Sequence, residues 1–500
     1  MAESANTVSV PAGVVAEAAP PAKTPRTTGR PAALSVRRNI VWYALPRLLS
    51  RATAFALLPI YTRVLTPAEM GAAMVALALG GFGSLVVAPG IETVYIRWAS
   101  RQDGECRERG MGTVTLLHLG LLALGAAVLW TFRGLIGSIV LKGIPLWPFY
   151  HLVTATLLLS SLEIPLTAVW RAEHRADKVA RLSLAHTVIS TGVIVFCLLG
   201  WKLGAVSLLL GDLADALVFL PVYAWNIAAR LREGWRHDVF RGLVPIALAG
   251  FPVGLAGYAL SGLDRILLNH VAGAAQVGLY AVGFQIGVVV MAIAIVFSQE
   301  WKPLIFALAA TPSRQPGALQ GLWTRTICAF VALGSVVVLF SADIVNGWLG
   351  ASYLASAVII PPVVLMCLFR ISRDFMVHVG LALGKARAVS AESLASVAVF
   401  TVAALLLIPR LGAQGAAWAG VITYAASSAF LFTRSWNALR VEPRLTAWAA
   451  AGLGATLCAA VRGGTPLTQS LGAAVGVLAA VEAFAYWKFL GTLRPVEARA

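Results

Sequence analysis

The run MGAAMVALALGGFGSLVVAPGI, from Met70 to Ile91, holds 22 residues without a charge. About 20 consecutive apolar residues in a helix cross the hydrocarbon core of a bilayer, so this stretch predicts a transmembrane helix. Stretches of the same kind recur on both sides of it. They predict about fourteen spans, at roughly 39–63, 69–96, 111–132, 147–170, 179–201, 205–229, 241–266, 275–300, 321–345, 354–380, 388–409, 412–434, 444–461 and 466–489. With 59% hydrophobic residues, 12% charged residues and a mean hydropathy of +0.81, the 500-residue chain is excluded from the soluble globular class. The expected fold is therefore an all-α integral membrane protein.

The charge of +17 invites comparison with nucleic-acid binders, but its distribution follows the membrane. Of the Lys and Arg residues, about 28 fall on one side of the predicted topology, about 7 on the other and about 4 inside spans. Basic clusters such as Arg97–Arg109, Arg171–Arg181, Arg230–Arg241 and Arg434–Arg444 follow even-numbered spans. The positive-inside rule then puts both termini in the cytoplasm. No basic soluble segment is long enough for a nucleic-acid domain, and the connections are too short for a catalytic core. Residues 1–36, rich in Ala, Pro, Ser and Thr, have no basic segment ahead of an apolar run. They predict a disordered cytoplasmic tail rather than a signal peptide.

An internal repeat organises the rest. At a shift of about 207 residues, Thr66-Pro-Ala-Glu-Met-Gly71 falls on Gly273-Ala-Ala-Gln-Val-Gly278, and Pro46 falls next to Pro252. Lys178-Val-Ala-Arg181 meets Lys385-Ala-Arg387, and Lys202-Leu-Gly-Ala205 meets Arg410-Leu-Gly-Ala413. Each copy holds six spans, an even number, so both copies share one orientation, and the solute path of such parallel repeats runs between them. The expected organisation is a six-helix bundle at 37–234, a second at 235–438 around a central cleft, and two additional helices with a short cytoplasmic tail at 439–500.

Several motifs carry a resemblance. Leu58-Pro-Ile-Tyr-Thr-Arg-Val-Leu-Thr-Pro-Ala-Glu-Met-Gly71, followed by Gly90-Ile-Glu-Thr-Val-Tyr-Ile-Arg97, resembles the start of bacterial polysaccharide-biosynthesis flippases. Asp264-Arg265, Val277-Gly-Leu-Tyr-Ala281 and Trp301-Lys-Pro303 are similar to a middle signature of that family. Gly384-Lys385, Ile408-Pro-Arg-Leu-Gly412 and Gly415-Ala-Ala417 are similar to a third. The family lies within the multidrug/oligosaccharidyl-lipid/polysaccharide flippase superfamily, and the resemblance covers residues 39–436. It implies a flippase of the bacterial cytoplasmic membrane that moves a lipid-linked oligosaccharide, of the undecaprenyl-pyrophosphate type, by alternating access. The implied partners are that substrate, membrane lipids and polysaccharide polymerase machinery. A cation-coupled multidrug antiporter of the same superfamily is the alternative.

Charges inside spans mark candidate sites, because each costs about 2.5–3.5 kcal/mol at mid-bilayer on insertion scales. Arg47 and Arg51 share one face of the first span. Counted from Asn39 they lie roughly 12 and 18 Å deep. A guanidinium pair in a wet cleft suits a pyrophosphate, since planar forks grip phosphate oxygens bidentately. The structural alternative is pairing with Glu92 or Glu163. Glu92 with Arg97, and Asp264 with Arg265, read as ion pairs or gates between the halves, or as sugar contacts. In the tenth span Arg370 and Asp374 have ion-pair spacing, Arg373 joins them, and the repeat sets Arg370 opposite Glu163. Arg370 and Arg373 are therefore cleft-lining candidates for substrate, with an internal salt bridge as the alternative. Asp212 and Asp215 are coupling candidates for a proton or cation, or solvated residues at the external end of span six. Trp42, Tyr43, Tyr258, Tyr280, Trp301 and Trp323 read as interfacial belt residues rather than sugar stackers.

Other chemistries find no support in the sequence. The seven His have no HExxH spacing, and the five Cys are scattered without a CxxC. No metal, disulfide or catalytic triad is therefore expected. Gly380-Leu-Ala-Leu-Gly-Lys385 lacks the spacing and the following Ser/Thr of a phosphate-binding loop, so no nucleotide cofactor is expected.

Overall fold

Thr66 opens the helix Pro67–Val87 for a local reason. Its hydroxyl accepts the Glu69 backbone N–H at 3.3 Å, and the Glu69 carboxylate accepts the Thr66 backbone N–H at 2.9 Å. Pro67 occupies the first helical position, where a missing N–H does no harm. This capping box satisfies donors that a helix start leaves orphaned. Thr66→Ala is expected to destabilise the protein by about 1 kcal/mol, read as a lower thermal midpoint of the detergent-purified protein.

The computed structural model describes residues 46, 48–88, 90–91, 94–96, 98, 104–173, 175–310 and 318–435. All of them belong to one compact unit, 39–500. Every regular element among the described residues is helical. Among the described residues nine helices are long and apolar enough to cross a membrane, and a tenth arises if Ala274–Gly287 and Val289–Ser298, bent by 44°, form one broken span. The chain is a multi-pass membrane protein. The expected total of fourteen spans is not reached among these residues; the two C-terminal spans, like the 1–36 tail, lie outside them.

The repeat reappears as contacts. A Cβ on Gly71 would overlap the Ala274 carbonyl oxygen, and a Cβ on Gly278 would overlap the Pro67 carbonyl oxygen. Gly278 follows Gly71, and Ala274 follows Pro67, by the same 207 residues. The two equivalent helix starts therefore cross backbone to backbone, the close approach that small residues permit in membrane bundles. A second contact is reciprocal in the same way. The Gly350 N–H donates to Thr62 Oγ1 at 3.2 Å, while Asn269 Nδ2 donates to the Lys142 carbonyl at 3.1 Å. Asn269 stands 207 residues after Thr62, and Gly350 stands 207 after Gly143, the neighbour of Lys142. Tyr353 Oη to the Leu65 carbonyl, 3.1 Å, and Lys142 Nζ to the His270 carbonyl, 3.0 Å, add to this seam.

Within each copy one further corner repeats. Gly204 and Gly412, both with left-handed φ of +60° and +56°, sit against the side chains of Glu69 and Gln276. A side chain would be strained in that backbone region and would also crowd the acceptor. Gln276 Oε1 accepts the Ala413 N–H at 3.2 Å, tying the helix Ala413–Ser435 to the start of Ala274–Gly287. A continuous apolar core runs through both copies, from Leu58 and Leu79 through Val282 and Val363 to Leu431. Cys197, Cys328 and Cys367 are buried within spans.

Candidate substrate cleft

A cavity of about 870 Å³ opens between the copies. The first span lines it with Pro46, Ser50, Arg51 and Ala54, and the second copy contributes Gln285, Ala292, Ile295 and Val296. Glu163, His186, Asp215 and Tyr223 form the remaining wall, with Arg171 nearby.

Arg51 projects from the helical segment 48–56 and is exposed to this space. It forms no hydrogen bond or ion pair among the described residues. Two further cations act on it electrostatically, Arg265 from the helix His237–Ala272 and Arg370 from the helix Ile360–Ala382. Arg51 thus lines the cavity, while Arg265 and Arg370, on two other helices, act on it from outside the lining. Arg265 is moderated by Asp264 at 3.4 Å and lies 5.1 Å above the Phe284 ring. Asp264 in turn accepts the buried Tyr280 hydroxyl at 2.8 Å. Arg370 lies 5.5 Å from the Tyr424 ring centroid, a cation–π contact that orients the charge without neutralising it.

The other charges are arranged differently from the sequence reading. Asp374 does not bond to Arg370 at helical spacing; it accepts from Arg373 at 3.3 Å, because Arg370 turns to Tyr424 on another helix. Arg373 is held by Glu392 through two bonds of 2.8 and 3.1 Å, and by Ser393 at 3.0 Å. That fork ties Ile360–Ala382 to Ala386–Leu411. A serine ladder continues it: Ser396 bonds Glu392 at 2.8 Å and Ser427 at 2.6 Å, and Ser372 bonds Ser428 at 2.7 Å. Glu163 is not Arg51's partner; its carboxylate faces His186 at 3.7 Å. Asp215 and Asp212 are partly buried rather than solvated. The first meets His186 Nδ1 at 2.5 Å and the second accepts from Ser190 Oγ at 2.9 Å. Arg47, Glu92 and Arg97 lie outside the described residues, as do Trp42 and Tyr43.

Two of the aromatic residues leave the expected belt. Tyr280 is buried on Asp264, and Trp301 is buried edge-on against Phe330 and Phe375. Sequence reasoning missed His186 and Glu392, which organise the polar groups of the first and second copy respectively. Each is the one titratable group of its stretch of helix, and its partners on other helices are 19 to 37 residues away with no periodic relation to it. Among the described residues no group of three or more His, Cys, Asp and Glu could hold a metal ion.

The profile described as "Polysaccharide biosynthesis protein" matches residues 60–357, more than half of the chain. Among solved structures, "Lipid II flippase MurJ, inward closed conformation" aligns with a TM-score of 0.64 at 14% identity, covering 93% of this chain and 99% of that one. A point mutant of the Vibrio cholerae MATE transporter VcmN aligns with a TM-score of 0.51 at 16% identity, covering 83% and 99%. The MATE multidrug transporter DinF-BH, in a ligand complex, aligns with a TM-score of 0.52 at 13% identity, covering 81% and 96%. No curated protein matches. These likenesses are in fold.

Proposed function

We propose that this chain, which belongs to the polysaccharide biosynthesis protein family, is a flippase that moves a lipid-linked oligosaccharide of the undecaprenyl-pyrophosphate type across the bacterial cytoplasmic membrane. The observation that carries the reading is Arg51, which lines the cavity between the copies without an ion-pair partner among the described residues, with Arg265 and Arg370 within its electrostatic reach. Like charges brought together inside a membrane repel one another and lose hydration, so the arrangement is stable when an anion of matching charge is shared among them. A pyrophosphate has the required charge and several acceptor oxygens, and guanidinium forks bind them in pairs. The glycan then occupies the wetter part of the cleft while the polyprenyl tail remains in lipid.

The driving force needs no nucleotide. With the cytoplasm negative, each negative charge carried outward gains about 2.3 kcal/mol per 100 mV. A pyrophosphate-linked head group therefore moves down the electrical gradient as the copies rock about their seam. In this reading both termini are cytoplasmic, and a polysaccharide polymerase on the far side consumes the product.

One observation favours a second reading, a cation-coupled multidrug antiporter. The same cavity carries Glu163 and Asp215, which suit an organic cation. Proteoliposomes separate the two. A fluorescent undecaprenyl-pyrophosphate sugar should become inaccessible to added glycosidase at a rate dependent on the protein. Absence of that protection, together with gradient-driven efflux of a cationic dye, would replace the flippase with the antiporter.

A further inference from the structure

His186 makes polar contacts through both ring nitrogens. Nδ1 lies 2.5 Å from Asp215 Oδ2, and Nε2 lies 3.0 Å from the Tyr223 hydroxyl and 3.7 Å from Glu163 Oε2. The ring packs 4.4 Å from Phe219, which fixes its plane. Three spans supply these groups: Leu146–Ala172 gives Glu163, Ala176–Gly200 gives His186, and Val206–Leu231 gives Asp215, Phe219 and Tyr223. Asp215 Oδ1 is buried and has no hydrogen-bond partner, so the cluster retains unused acceptor capacity.

The second copy treats the equivalent helices in another way. There the link between Ile360–Ala382 and Ala386–Leu411 is Arg373 to Glu392, and a guanidinium does not give up its proton. Ser393, beside Glu392, is the residue 207 positions after His186. One copy thus carries a fixed ion pair and the other a titratable one. Imidazole is the side chain that changes charge near neutral pH.

We propose that Glu163, His186, Asp215 and Tyr223 form a proton-binding site in the first copy, loaded more fully when an anion occupies the arginine region of the cleft. The link to the anion rests on the flippase reading above; the proton site itself does not. In the unloaded form Nδ1–H donates to Asp215 and Nε2 accepts the Tyr223 O–H. A proton from the cavity forms an Nε2–H bond. Tyr223 then rotates, accepts from Nε2–H and donates its own proton toward Glu163, so one proton is gained and no other bond breaks. The remaining charged and titratable groups around His186 have defined positions. Asp212, on the neighbouring helix, accepts from Ser190, one turn along from His186, and Tyr61 lies within electrostatic reach of Asp212. Arg171 and Arg51 face the same cavity, and Asp177 pairs with Arg181 at 3.2 Å near the start of the His186 helix. A negative ligand at Arg51 weakens the repulsion between the arginines and an imidazolium, so anion and proton favour each other. By reciprocity the same factor applies to both affinities.

The test uses the full chain in nanodiscs, labelled with ¹³C at histidine Cε1. The His186 signal is identified among the seven histidines by its loss in His186→Gln. It should titrate between pH 5 and 9. Asp215→Asn and Glu163→Gln should each lower its proton affinity roughly tenfold, because an opposite charge within reach favours the charged form, while the other histidine signals stay in place as a check on folding. A His186 signal that does not titrate, or a midpoint unmoved in both variants, overturns the site. Inorganic pyrophosphate is the anion probe, and it should bind about five- to tenfold more tightly at pH 6 than at pH 8, with that dependence lost in His186→Gln. Pyrophosphate binding that is equal at both pH values overturns the linkage. If pyrophosphate fails to bind at any pH while His186 titrates as stated, the proton site stands and the flippase reading falls.

Discussion

Arg51→Ala is expected to abolish surface-polysaccharide assembly in a cell that depends on this chain, while the protein still accumulates in the membrane. The two halves of that expectation have separate causes. Arg51 is exposed to the cleft and holds no carboxylate among the described residues, so among them its removal leaves no buried partner unpaired. Among these residues nothing therefore incurs the usual penalty for deleting half of a buried ion pair, about 3–5 kcal/mol. Removing it in fact relieves repulsion from Arg265 and Arg370. On the flippase reading function suffers because a pyrophosphate loses the cation that lines the cavity, and truncating a desolvated charged contact costs about 2–5 kcal/mol of binding. That corresponds to a fall of roughly 30- to several-thousand-fold in affinity. Arg51→Lys keeps the charge but loses the planar fork, and an intermediate polymer yield is expected. Immunoblots of membrane fractions beside polysaccharide measurements check both halves. Normal polymer output from Arg51→Ala removes this residue from the transport path.

The readability of these features in the sequence depended on how local their causes are. The motif Thr66-Pro-Ala-Glu-Met-Gly71 was legible through its second copy at Gly273, and the capping box that makes the first copy a helix start acts within four residues. The repeat was legible because four motif pairs keep a shift of 206 to 208 residues, and the reciprocal contacts of Gly71 with Ala274 and of Gly278 with Pro67 are its physical expression. Arg51 was legible because a charge in an apolar run is costly wherever it points. The partners of these charges were not legible. Arg370 and Asp374 have ideal helical spacing, yet Tyr424 on another helix takes Arg370 and Arg373 takes Asp374. His186 carries no signal of its own, because a single imidazole in an apolar stretch is meaningful only once Glu163, Asp215 and Tyr223 are packed around it. Spacing along one helix predicts which residues can meet; packing between helices decides which do.

Glu392→Ala is expected to be the most damaging single substitution to stability. The carboxylate is buried, holds Arg373 through two bonds, and accepts from Ser396. Its loss leaves the guanidinium with Asp374 at 3.3 Å and Ser393 at 3.0 Å, in a setting where water cannot replace the missing oxygens. Breaking such a pair costs about 3–5 kcal/mol, enough to deplete the protein from membranes and to lower its thermal midpoint in detergent. Arg373→Met should be similarly harmful, since a buried carboxylate then loses its counter-charge. The double variant Arg373→Met with Glu392→Leu should recover most of the stability, because an apolar pair of similar volume removes both desolvation penalties together. This cycle also decides what Arg373 is for. If the fork only fastens two spans of the second copy, the double variant regains transport along with stability. If Arg373 also grips the substrate, stability returns and transport does not.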